Sequence, residues 1–181
     1  REVGGANYVE TVAGYTGQGV RAEIIDGNLR ATHVDFQQNP VIFHGPASGN
    51  IFHGTSTYGI LFGSGAGSFA ARGMLPDAQG IFADYDFMVD RYAHFSALAT
   101  APLDVVLQSS SIGNCCSTEY TTQAAEMDDV LFHTDVVALQ AMANPGTQPA
   151  DVVAFAKNIV PMGGIRHFDT LTLADDQWAN A

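Results

Sequence analysis

Short apolar runs separated by glycine-rich or polar stretches set the pattern of this chain. Val20–Ile25, Gly80–Ala83, Val105–Leu107, Val136–Leu139 and Ile159–Met162 each have the length of a buried strand, and several are rich in β-branched residues. The longer segments His53–Phe62, Asp90–Ala99 and Thr121–Phe132 predict helices, the last with Ala124, Ala125, Met127, Val130 and Leu131 at near-helical spacing. Strands alternating with helices predict crossover units, and therefore an α/β fold with a mostly parallel sheet and helices on both faces. One echo interrupts the pattern: Ile42-Phe43-His44-Gly45 returns as Ile51-Phe52-His53-Gly54. Four residues repeated once do not make a repeat architecture.

Composition narrows the partners. The chain has 181 residues, of which 46% are hydrophobic and 14% charged, enough apolar material for a core and too little charge for disorder. Nineteen acidic residues against seven basic ones give a net charge of −12, and the basic residues are scattered. Such a surface repels phosphates, so neither nucleic acid nor an anionic membrane is an expected partner. No apolar run approaches the roughly 20 residues that span a bilayer. The two cysteines, Cys115 and Cys116, are adjacent, which offers neither metal-ligand spacing nor a loop-closing framework.

Two glycine clusters and six histidines lack the patterns of other chemistry. Gly14-Tyr15-Thr16-Gly17-Gln18-Gly19 precedes a predicted strand, whereas a dinucleotide fingerprint follows one and opens a helix. Gly63-Ser64-Gly65-Ala66-Gly67 lacks the Gly-Lys-Ser/Thr ending of a P-loop. The histidines at 33, 44, 53, 94, 133 and 167 show no His-Glu-x-x-His and no paired thiolates, so the spacing predicts no metal site.

The chemistry concentrates in two segments. Val20–Asp26 places a carboxylate at the C-terminal end of an apolar strand, the edge of an open α/β sheet where ligands collect. Downstream, His53-Gly54-Thr55-Ser56-Thr57-Tyr58-Gly59 sets a histidine at the start of a predicted helix. An Asp that fixes the tautomer of a His is the base half of a nucleophilic triad.

In these segments the sequence resembles the subtilisin-like serine peptidases. Gly17–Phe36 is similar to the family's motif around its aspartate, and His53–Ile60 to its His-Gly-Thr-x-x-x-Gly motif. Gly73–Ala78, Asp104–Gly113, Val137–Gly146 and Ala156–Gly164 then resemble, in order, the Pro-containing turn, the strand ending in Ser-Leu-Gly, the strand ending in Ala-Gly-Asn, and the segment after it. The likeness runs over residues 16–165. It implies a subtilisin-like fold, incomplete at its C-terminal end, with residues 1–181 forming the N-terminal two-thirds of a secreted catalytic domain. It further implies Asp26 as orienting acid, His53 as general base, Asn144 as oxyanion donor, and Ser111, Ile112 and Gly113 as the edge that pairs with an extended peptide. Gly113 is then expected to leave room for the substrate side chain.

Departures qualify this picture. Gly27 stands where the family has a hydroxyl residue that supports the carboxylate, so a looser Asp26 is expected. Ala143 replaces a glycine, and Pro161 lies inside a predicted strand. No Gly-Thr-Ser-x-x-x-Pro follows Asn144, so the nucleophilic serine is expected on a continuation or second chain, and residues 1–181 alone are expected to be inactive. No cofactor is required for such catalysis. Calcium commonly supports the family, but residues 63–72 contain no Asp, Glu or Asn to ligate it. The alternative function is an inactive, peptide-binding pseudoprotease.

Overall fold

A computed structural model describes residues 1–113, 115–144, 150–168 and 170–178, apart from the side chains of Cys116 and Trp178. Its strands are β1 (Arg21–Asp26), β2 (Ile42–Phe43), β3 (Gln79–Asp84), β4 (Leu107–Ser110), β5 (Cys115–Ser117), β6 (Val137–Ala141), β7 (Ala150–Asp151), β8 (Val160–Met162), β9 (Ile165–Arg166) and β10 (Gln177–Trp178). The helices are α1 (Ala6–Thr11), α2 (Phe52–Phe62), α3 (Arg91–Leu98) and α4 (Thr122–His133). Six strands form one parallel sheet in the order β2-β3-β1-β4-β6-β8, while β5–β7 and β9–β10 are small antiparallel pairs. The expected mostly parallel α/β architecture is what forms.

Helices start where short polar side chains satisfy free amides. Asp90 Oδ1 accepts from Ala93 N at 2.8 Å ahead of α3, and Thr121 Oγ1 accepts from Ala124 N at 3.1 Å ahead of α4. Before α2 the cap comes from one residue further out, Asn50, whose Oδ1 accepts from Phe52 N at 2.9 Å.

Two cores result from the two faces of the sheet. On one face α2 lays Tyr58 and Phe62 over Ala22, Ile24 and Phe82. On the other, Phe95 and Leu98 of α3 and Met127, Val130 and Leu131 of α4 pack with Ile81 and Ala138. Parallel register keeps paired side chains on one side, so Val137, Val160 and Met162 belong to the α2 face. Their exposures of 52%, 43% and 51% show that the β6–β8 end of that face is uncovered.

Two local predictions change. β4 begins at Leu107 rather than Val105 and runs through Gln108, Ser109 and Ser110. Val105 is buried just before the strand, and the polar residues pair on both sides with β1 and β6. Pro161 causes no break, because β8 lies at the sheet edge, where a missing amide hydrogen leaves no partner unpaired.

Candidate active site

Asp26 ends β1 and is 1% exposed. His53, in the first turn of α2, points its Nδ1 at both carboxylate oxygens, 2.7 Å from Oδ1 and 2.9 Å from Oδ2. This approach depends on Gly54, since a Cβ there would run into the carbonyl oxygens of Gly27 and Asn28. The helix can therefore press its N-terminal turn against the loop that follows β1.

The expected looseness of Asp26 is corrected here. Gly27 brings no hydroxyl, yet Thr57 Oγ1 donates to Asp26 Oδ2 at 3.0 Å, and the Gly27 amide donates to Oδ1 at 2.7 Å. Support that the loop lacks comes from the helix, one turn beyond His53. Sequence reasoning passed over Thr57, although its i+4 spacing from His53 places both on one helical face. A hydroxyl one turn from a candidate base was the available signal.

His53, Ser111, Ile112, Gly113 and Asn144 all line one cleft of about 930 Å³. Asp26 is not among its lining residues and communicates with it through His53. The His53 side chain is 64% exposed, so the ring is anchored at Nδ1 and open to the cleft elsewhere. Among the described residues no serine hydroxyl is bonded to it, and Ser56 instead donates to the Phe52 carbonyl at 3.1 Å.

The edge strand is braced from below. Gln140 Nε2 donates to the Ile112 carbonyl at 2.6 Å, and Ser110 Oγ donates to the same oxygen at 3.2 Å. At Gly113 the place of a side chain is occupied, because a Cβ there would meet the buried carboxylate of Asp151. Glycine therefore admits Asp151 at this point in the cleft wall. Ala143 sits at φ 125°, a conformation suited to glycine and strained for alanine, just before Asn144.

Beside α2, Asp35 Oδ1 accepts from the Gly67 amide at 2.7 Å. No helix among the described residues is long and apolar enough to cross a membrane.

No family model and no curated protein matches the sequence. Solved structures do match in shape. The prenylagaramide maturation protease PagA superposes with a TM-score of 0.68 at 17% identity, over 89% of this chain and 57% of its own. A psychrophilic protease gives 0.66 at 17%, over 92% and 59%. The PatG macrocyclase, solved with a peptide, gives 0.61 at 13%, over 90% and 62%. The fold is subtilisin-like. The chain spans somewhat less than two-thirds of the length of these neighbours. Within the subtilisin-like fold, the carboxylate at the end of β1 and the imidazole at the start of α2 come from consecutive layers, sheet and helix, which is why residues 27 positions apart meet.

Proposed function

We propose that this chain supplies the acid and base of a subtilisin-type serine endopeptidase. The observation that carries this is the clamp of His53 Nδ1 by both oxygens of a buried Asp26, with the rest of the ring open to a cleft. Asp26 holds the tautomer in which Nε2 is free to accept a proton and stabilises the imidazolium that follows. A serine hydroxyl gives its proton to Nε2 as its oxygen attacks the peptide carbonyl. Asn144 donates to the resulting oxyanion, a contribution worth about 3–4 kcal/mol where one such donor has been removed. His53 then returns the proton to the leaving amine, and water releases the acyl group by the same route.

The serine itself would come from a continuation or a second chain. Its carrier has a place to pack, the uncovered apolar end of the α2 face at Val137, Val160 and Met162. The peptide would lie along Ser111, Ile112 and Gly113, as an extended strand added to a sheet edge. The peptide held by PatG supports this substrate class. A secreted setting is supported by Cys115, which is exposed and disulfide-bonded, since such bonds persist in oxidising compartments.

A fluorophosphonate probe tests the reading. Added to the assembly that contains this chain, it should label a serine outside residues 1–181, and His53→Ala should abolish the labelling. Absence of label with retained peptide binding would establish the pseudoprotease instead.

A further inference from the structure

On the face of the sheet opposite His53, a second constellation of carboxylate and imidazole lies buried. Glu23, in the middle of β1, is fully buried among apolar neighbours. His44, just after β2, places Nδ1 2.7 Å from Glu23 Oε1, and His94 of α3 places Nε2 2.8 Å from Oε2. The two rings stack with centroids 4.2 Å apart at 25°, so both nitrogens approach the carboxylate from one side. Gln108 Nε2, from β4, donates to Oε2 at 2.7 Å. Burial alone pushes the Glu23 carboxyl up, but hydrogen bonds from His44, His94 and Gln108, with the charge of His94, outweigh it and hold the group below the usual carboxylate range.

We propose that Glu23, His44 and His94 form a binding site for a divalent transition-metal ion of the zinc class. One ligand atom from each of the three lies within 4.8 Å of the others. Metal–ligand bonds of about 2.0–2.2 Å can converge on one centre there after small side-chain rotations. Two imidazoles and one carboxylate suit zinc, cobalt and nickel, and the single oxygen ligand set is wrong for calcium or magnesium. A carboxylate placed in a core is costly unless paired, and a metal ion would complete that pairing. Gln108 then acts as the outer hydrogen bond that orients the ligating carboxylate. On binding, the nitrogen facing Glu23 in each ring gives up its hydrogen, and a neutral ring carries one on its other nitrogen. The ion would enter past His44, whose side chain keeps 18% of its surface exposed. Bound there, it would tie edge strand β2 and helix α3 to the central strand. Spacing could not reveal the site, because its histidines lie 21 and 71 residues from Glu23.

Titration of the metal-free chain with Co²⁺ tests this without any measure of proteolysis. Visible d–d bands of a nitrogen-ligated site should appear with a Kd on the order of 1 μM or tighter. At 100 times Kd the ion should raise Tm by roughly 5–10 °C. Glu23→Gln and His44→Ala should each abolish the bands, Gln108→Leu should weaken binding about 10–100-fold, and His53→Ala should leave it unchanged. His44 lies at the partly exposed edge, so His44→Ala decides the matter even where Glu23→Gln unfolds the chain. Absence of Co²⁺ bands at millimolar metal, or bands that persist in a folded His44→Ala variant, would overturn the proposal.

Discussion

The tetrapeptide Ile-Phe-His-Gly occurs twice, and the two copies deliver their histidines to opposite faces of one strand. His44 follows the edge strand β2 and reaches Glu23, while His53 opens helix α2 and reaches Asp26. Local sequence is identical, so the difference lies in what surrounds each copy. At Asp26 a single ring is held by one nitrogen and the remainder is open to the cleft. At Glu23 two stacked rings and an amide converge on a carboxylate with no exposed surface. The first arrangement leaves a proton acceptor available. The second spends its polar atoms on one another and suits a structural role.

Substitutions can break this contrast in order of effect. His53→Ala, in the assembly proposed to carry the serine, should lower kcat by a factor of ~10⁴ or more while leaving the unfolding midpoint in urea nearly unchanged. Glu23→Gln should do the reverse. It should lower the free energy of unfolding by about 3 kcal/mol, because the buried His94 and the half-buried His44 lose their charged acceptor, and should spare kcat in molecules that remain folded. A kcat loss for Glu23→Gln as large as that for His53→Ala would show that the two faces are not separable. Thr57→Val sharpens the comparison at the open face, removing the hydroxyl that steadies Asp26. It should cost about 10–100-fold in kcat and shift the pH–rate profile, with little change in KM.

The smallest effect is a control at Asp128 on α4, outside both constellations. Burial pushes the Asp128 carboxyl up, but the Tyr120 hydroxyl, the amides of Asn158 and Lys157 and the Lys157 charge outweigh this and hold it below the usual range. A carboxyl depressed on folding stabilises the fold above its unfolded pKa, and that contribution fades as pH falls through the lower folded value. The wild type should therefore be slightly more stable than Asp128→Asn above about pH 4, and an acid titration of stability should show that difference shrinking as pH falls further.

Where pattern and chemistry coincide, the fold was legible. Apolar runs located β1, β3, β6 and β8, and the three long helices begin within a residue of their predicted starts, because Asp90 and Thr121 are recognisable caps. Two-residue strands such as β2 and β7 carry no periodicity to read. At the candidate site, Asp26 and His53 each announced themselves by position in an element. Thr57 did not, since the support of Asp26 was sought in the adjoining loop. Glu23 was hidden by its setting in an apolar run, where only the third dimension shows the two histidines that make its burial tolerable.

Glu23 and Asp26 stand three positions apart on a strand whose side chains alternate with a period of two. That odd separation is what sends one carboxylate to each face. Inserting or deleting a single residue between them would make the separation even and turn both anions toward the same side. One would then meet no imidazole in a dry interior. Loops around this sheet can change length freely across evolution, whereas these four positions of β1 are locked in frame, and a length change here should be among the least tolerated in the chain.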